Sequence, residues 1–227
     1  MGNIPAPTIE QQALLDLHLK LVLEENQRSN LTRIVDWEQG QLLHIEDSLL
    51  GLPELLAAPD GRYGDLGTGG GFPGLPLAIM LDRETLLVDS VAKKTHALER
   101  IISELGLADR VSTYTGRSEE LAQEQPGSFA VLTARALSSL PSLLELAVPL
   151  LQEGGQLICY KAQVEDEELA QAAALESKLG MKLASKRTEL LSDGQTPRTI
   201  LVFEKVAEPT VKLPRRPGMA QKRPYKA

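Results

Sequence analysis

"YGDLGTGGGFPG", running from Tyr63 to Gly74, decides what kind of sheet this chain builds. Five glycines fall between positions 67 and 74, after "RYGDL", which reads as a short strand, and ahead of "GLPLAIML", which reads as a helix. Strand, glycine turn and helix in that order make a loop whose free N–H groups can receive an anion or a cofactor. Gly67, Gly69 and Gly71 let the backbone turn sharply and leave no Cβ between it and a ligand. Counted from Gly69, the string fits the G-x-G-x-x-G of a dinucleotide fold. Counted from Asp65, it fits the D-x-G-x-G-x-G of a methyltransferase. Two acids bear on the choice. Asp89 ends the next apolar run, "TLLVDS", where a carboxylate accepts from the ribose hydroxyls of either cofactor. Asp65, at the tip of the first strand, suits a ligand carrying an ammonium and a sulfonium and would repel a pyrophosphate.

Upstream of the loop the pattern is helical. Thr8 and Gln11 have the spacing of a capping box, and Leu14, Leu17 and Leu21 follow on one stripe. A second helix is predicted from about Trp37 to Ala57, bent or ended in part by Pro53. Downstream, strand and helix alternate as far as "EDEELAQAAALESKLG", a helix stopped by Gly180. "MKLASKRTELL" and "RTILVFEKV" then follow as two strands joined by the turn "SDGQTP". The expected fold is α/β, Rossmann-like, with a mostly parallel seven-stranded sheet, an antiparallel terminal hairpin and an N-terminal helical extension. Residues 1–58 form the helical segment, 59–206 the cofactor-binding core and 207–227 a basic, proline-rich tail.

The 227 residues suffice for one full core, and an apolar fraction of 42% argues against global disorder. The single cysteine, Cys159, excludes an internal disulfide and reads as inert strand filling. His18, His44 and His96 are scattered, so no metal is expected. No apolar run reaches the length of a membrane span, and the first ten residues lack a secretory pattern. Gly2 follows Met1, but Ala6 replaces the Ser or Thr that acylation prefers. A cytoplasmic location and a monomer are expected. The net charge of −7 hides an asymmetry: from Lys205 onward seven basic residues face one acid, Glu208. A basic tail on an acidic body fits an arm that meets phosphates, and equally a solvated tail.

"NLTRI" (Asn30 to Ile34), "HIEDS" (His44 to Ser48), "DLGTGGGFPGLPLAI" (Asp65 to Ile79), "VDSVAKK" (Val88 to Lys94), "ARAL" (Ala134 to Leu137) and "PRRPGMAQKRP" (Pro214 to Pro224) occur in this order. Together they resemble the small-subunit ribosomal RNA guanine-N7 methyltransferase family, known as RsmG or glucose-inhibited division protein B. The resemblance covers nearly the whole chain. It implies S-adenosyl-L-methionine as cofactor, and 16S rRNA or the small ribosomal subunit as partner, with a guanine of the 530 loop as target. It puts cofactor contacts on Gly67, Phe72, Ser118, Glu119 and Arg135, to which the loop reading adds Asp65, Gly69, Gly71 and Asp89. The strand carrying Lys161 continues Ala162-Gln163, where the family usually has glycine after the lysine.

Guanine N7 has an in-plane lone pair and no proton, so its attack on a sulfonium methyl needs no general base. No residue is therefore assigned as acid or base. Arg135 is the candidate orienting residue, through a carboxylate or through guanine O6, with a structural ion pair as its alternative reading. His44 and Asp47, three residues apart, read either as a wall of the target pocket or as a bonded pair that fixes the helices. Trp37 could stack a base, but packing is the safer assignment. Candidate RNA contacts are Lys93, Lys94, Lys161, Arg215, Arg216, Lys222 and Arg223. The tail is expected to be extended and mobile, so that its deletion weakens RNA binding and leaves cofactor affinity intact. A nicotinamide oxidoreductase and a non-catalytic RNA-binding module remain as rival readings.

Overall fold

A computed structural model of the chain describes residues 4–226. Gly2 and Ala227 lie outside them. Helix α1 (Ile9–Ser29) starts as its capping pattern predicts. The Thr8 hydroxyl accepts from the Gln11 amide at 3.2 Å, and the Gln11 side chain accepts from the Thr8 amide at 2.9 Å. Both are backbone donors that a helix start otherwise leaves without partners. Asn30 closes α1 in the left-handed conformation, φ 49°. The stripe Leu15, His18, Leu19 and Val22 is fully buried.

The single helix expected from Trp37 to Ala57 is instead four pieces. These are α2 (Trp37–Gly40), a π-helical turn (Gln41–Glu46), α3 (Asp47–Leu49) and α4 (Leu52–Ala57). The break falls at Gly51, φ −85° and ψ 5°. A Cβ there would overlap the Tyr160 hydroxyl, which donates to the Ser48 carbonyl at 2.8 Å. Pro53 follows in the first turn of α4, where its missing N–H costs nothing.

The alternating region gives β1 (Tyr63–Leu66), α5 (Gly74–Met80), β2 (Thr85–Asp89), α6 (Ala92–Glu104), β3 (Val111–Thr115), α7 (Ser118–Glu124), β4 (Phe129–Arg135), α8 (Leu140–Ala147), β5 (Leu151–Lys161), α9 (Asp166–Leu179), β6 (Met181–Leu190) and β7 (Pro197–Lys205). The sheet order is β3-β2-β1-β4-β5-β7-β6, and β7 alone runs antiparallel to its neighbours. Strand β5 begins at Leu151, earlier than the glycine pair Gly154-Gly155 suggests, and a register shift against β4 absorbs the extra residues.

Period-two alternation sends successive side chains to opposite faces. Leu86 and Val88 join Leu121, Leu144 and Leu175 beneath α7, α8 and α9. Leu87 between them joins Leu15, Leu75 and Leu98 beneath α1, α5 and α6. The N-terminal helices therefore complete the second layer. Strand β1 is flanked by β2 on one side and β4 on the other. The chain reverses direction across the sheet there, so the carboxyl ends of β1, β2 and β4 surround the crevice where ligands bind in such folds.

The tail departs from the mobile arm that its composition suggests. Val211, Leu213 and Tyr225 pack on the α8–α9 side, and Ala220 of helix α10 (Met219–Lys222) is 1% exposed. Arg215 pairs with Glu145, a carboxylate on α8 that is itself buried. A buried acid needs a cation, and the apolar residues set between the prolines supply the rest of the seat.

Candidate active site

Asp65 stands behind the glycine loop, not in front of it. It is fully buried. One oxygen accepts from the Thr133 hydroxyl at 2.7 Å and the other from the Gly74 amide at 3.0 Å. Burial pushes its carboxyl up to about 6, against the pull of those hydrogen bonds. The expectation that Asp65 meets a ligand's ammonium group is thus corrected. Its carboxylate fixes the start of α5, and a Cβ on Gly74 would come within 2.8 Å of it.

The three loop glycines have three different roles. Gly67, φ 72°, lines a cleft of about 270 Å³ at the strand ends. Gly69 donates its amide to Asp89 at 3.0 Å. Gly71 faces inward, where a Cβ would lie 2.8 Å from Leu75 and 3.2 Å from His18, so packing and not ligand approach keeps it bare. Asp89 also accepts from the Val91 amide at 2.9 Å, and Lys94 stands 3.8 Å from its carboxylate. Ser118 and Glu119 form the far wall of the same cleft. Ser118 is the first residue of α7 and not its cap, since Arg117 occupies the cap position. Gln221 from the tail completes the lining, and Glu119 accepts from the Gly218 amide at 2.7 Å. The tail thus lines the same cleft as the residues expected to hold the cofactor.

Phe72 is 5% exposed, with its ring between two histidines. His44 stacks on it at 4.3 Å between ring centres and His18 tilts against it at 4.5 Å. Any ligand contact at position 72 falls to its backbone. The Arg135 guanidinium lies 5.7 Å from the same ring. Its Nη1 donates to the Leu43 carbonyl at 3.1 Å and to Asp47 at 3.0 Å. Nη2 faces His44 Nδ1 at 3.4 Å, which leaves the imidazole proton on Nε2, beside the Thr32 hydroxyl at 2.7 Å. The expected His44–Asp47 pair is not formed. Each residue bonds Arg135 instead, because the π turn brings both toward the tip of β4.

A second cavity, of about 470 Å³, adjoins the first. Ala136 lines both. Its φ of 53° is uncommon for a residue with a Cβ. Arg135, Asp47, His44, Tyr160 and Arg198 line the second one, with Lys161 at its edge. Arg198 comes from β7 and lies 3.0 Å from Asp47.

The basic residues divide. Arg216, Lys222 and Arg223 are exposed, as is Lys93, whose ammonium also reaches the Arg28 carbonyl. Lys94 lines the first cleft. Lys161 is spent on Glu168 and the Ser138 carbonyl, both at 2.8 Å, and Arg215 on Glu145. These last two are internal ion pairs, which corrects their assignment as RNA contacts. Trp37 is 42% exposed and lines a separate apolar hollow near Pro7. Burial pushes the Cys159 thiol up to about 12, so it is inert.

His18, Arg198, Ala136 and Gln221 were not singled out by their sequence context. His18 had a signal: it falls on the buried stripe of α1, between Leu15 and Val22. Its Nε2 meets the Gly70 carbonyl at 3.1 Å, and Nδ1 has no partner. Burial lowers His18 to about 3 and, helped by the Arg135 charge, His44 to about 4. Below pH 6.5 the unfolded chain therefore binds protons at both sites that the fold refuses, and stability falls with pH. Asp65 works in the opposite sense below about pH 6, since its folded form takes a proton first. Between pH 6 and 5 the three groups leave one net proton, about 1.4 kcal/mol of stability lost per pH unit. His18→Asn should remove that slope, read from urea midpoints at each pH. An unchanged slope would show that His18 titrates normally in the fold.

These features can be compared with known proteins. A profile of the family described as rRNA small subunit methyltransferase G matches residues 11–194. Ribosomal RNA small subunit methyltransferase G of Streptococcus gordonii is 36% identical over 221 residues, 96% of this chain and 92% of that protein. The protein of the same name from Alkaliphilus metalliredigens is 34% identical, covering 91% and 87%. Among solved structures, the O-methyltransferase from Bacillus cereus in complex with SAH aligns with a TM-score of 0.58 at 20% identity, over 83% of this chain and 90% of its own. Geranyl diphosphate C-methyltransferase from Streptomyces coelicolor aligns at 0.53 and 12% identity, over 69% and 79%. The last two share the fold alone. With the glycine loop, the sheet order and full-length relatives in agreement, the chain belongs to the rRNA small subunit methyltransferase G family.

Proposed function

We propose that this chain methylates N7 of a guanine in the 530 loop of 16S rRNA, with S-adenosyl-L-methionine as methyl donor. The observation that carries this reading is the pair of adjoining cavities that share Ala136. The first suits an adenosyl group. Asp89 offers carboxylate oxygens for ribose hydroxyls, Glu119 an acceptor for an exocyclic amine, and Gly67 a wall without a side chain. Gly67 also sits at φ 72°, where a side chain is strained, and a Cβ there would have to push the tip of Leu137, 2.6 Å away, aside. The second cavity, of about 470 Å³, is lined by two arginines that can donate to a purine's acceptors.

The donor, when bound, supplies a methyl on a sulfonium. The chain's own residues align the base and hold its growing positive charge near carboxylates and away from bulk water. Positioning of this kind contributes roughly 7–11 kcal/mol in favourable cases. No side chain needs to take a proton. That fits a wall whose histidine, His44, is held neutral and fully bonded. Arg216, Lys222, Arg223 and Lys93 are the surface charges proposed to meet phosphates.

The test is transfer from labelled donor to small-subunit RNA, offered as naked RNA, partly assembled particles and complete subunits. Borohydride reduction and aniline scission then locate N7-methylguanine. Label in RNA with scission at one guanine is the expected result. Binding of RNA with no transfer to any of the three would favour the non-catalytic module.

A further inference from the structure

Asp47 carries an unanswered demand. It is 3% exposed and lines the second cavity. Both of its cationic neighbours use the same oxygen: Arg135 Nη1 and Arg198 Nε each lie 3.0 Å from Oδ2. Oδ1 is buried and has no hydrogen-bond partner. A carboxylate oxygen left this way costs about 1–3 kcal/mol or more and calls for an explanation.

Three other polar side chains of the wall are consumed. Tyr160 donates to the Ser48 carbonyl, Lys161 to Glu168 and the Ser138 carbonyl, and His44 is bonded at both nitrogens. What remains is one acceptor, Asp47 Oδ1, covered in this structure, beside the N–H groups of Arg135 not spent on Leu43, Asp47 and His44 and those of Arg198 not spent on Asp47 and the Pro197 carbonyl. A donor and an acceptor side by side form a reading head for a base edge.

We infer that Asp47 and Arg135 together read the O6/N1–H edge of the target guanine, and that Asp47 is the residue that rejects adenine. This rests on the reading of the chain as a guanine-N7 methyltransferase. Guanine presents an acceptor at position 6 and a donor at N1. Adenine presents a donor and an acceptor at the same places. Against Arg135 and Asp47 both contacts of adenine invert, donor facing donor and lone pair facing carboxylate. N7 is common to both purines, so the reacting atom itself cannot discriminate. With N1–H on Asp47 and O6 on Arg135, N7, which neighbours O6, lies on the Arg135 side of the base, next to Ala136, which also lines the first cavity. Oδ1 is covered in this structure, so reading the base takes a rotation of the Asp47 side chain that turns this oxygen toward the cavity its residue lines.

The test offers small-subunit RNA with the target guanine replaced by inosine, 2,6-diaminopurine or adenine. Inosine keeps O6 and N1–H, whereas the other two invert both. The unaltered chain should methylate inosine within about tenfold of guanine and the two inverted bases at least about a thousandfold more slowly, as sites with buried polar groups do. Asp47→Asn, matched in volume, should shrink the guanine-to-diaminopurine ratio by about a hundredfold while donor affinity, read by calorimetry, stays within threefold. An equal fall for all bases would make Asp47 a structural residue only and overturn the inference. If the Asn chain does not fold, the analogues decide on the unaltered chain: turnover of diaminopurine at the rate of guanine sinks the proposal. Methylation of guanine at an atom other than N7 would sink the functional reading instead, and the base ratio would still report on the edge.

Discussion

Arg135→Ala should lower single-turnover methyl transfer by at least about a hundredfold, the cost of misplacing a reactant by about an ångström. Arg135 is the joint between the β4 tip and the π turn, through Leu43, Asp47 and His44. Without it the Leu43 carbonyl loses a donor and the wall of the second cavity loses its anchor. Stability should drop by less than the roughly 3–5 kcal/mol typical of a broken buried ion pair, because Arg198 still neutralises Asp47. Arg135→Lys keeps the charge, but one ammonium cannot reproduce a planar fork that spans three partners. It should recover most of the stability and little of the rate. Normal turnover in the alanine chain, with unchanged donor binding, would reduce Arg135 to a structural ion pair.

The second large effect is on the tail. Glu145 is 3% exposed, and Arg215 engages both of its oxygens, Nη2 at 2.6 Å. The same guanidinium lies 4.2 Å above the Tyr225 ring. Arg215→Ala leaves a buried carboxylate without its cation, at a cost of about 3–5 kcal/mol. For a chain of this size that lowers the melting midpoint by about 6–20 °C. Replacing both Glu145 and Arg215 with leucine should restore most of it, since the desolvation penalty leaves with the pair. A single mutant that melts with the parent would show the pair to be dispensable. Deleting residues 209–227 removes the same ion pair together with Leu213, Ala220 and the Gln221 edge of the cleft. Donor affinity should therefore fall along with RNA affinity.

Much of the architecture was legible because the local signals agreed with one another. The Thr8–Gln11 box, the Gly180 stop and the turn before β7 each named an element end by backbone chemistry alone. The glycine loop was legible as a cofactor turn, but not the division of labour within it. Asp65 and Gly71 look like ligand contacts in one dimension. Only packing reveals that Thr133 and Gly74 claim the first and His18 the neighbourhood of the second. The helix break at Gly51 was hidden because its cause, Tyr160, lies over a hundred positions away. The tail misled through composition. Prolines and charges suggest a solvated arm, and the buried acid that holds it is on another helix. Arg198 had no local signal at all, being one arginine near the start of β7, just past the hairpin turn.

The π turn at Gln41–Glu46 carries a consequence for how this family can drift in length. A π turn holds one more residue than an α-helix would need over the same path. Losing any single residue between positions 37 and 43 would let the segment relax into regular helix, a local gain. The flanking turns would keep their phase, but the widened turn that carries His44 and Asp47 to Arg135 would be lost. The two side chains could then no longer both reach the guanidinium. Insertions and deletions should thus be tolerated in the turn between β6 and β7 and purged here, although this stretch reads as the more ordinary helix of the two.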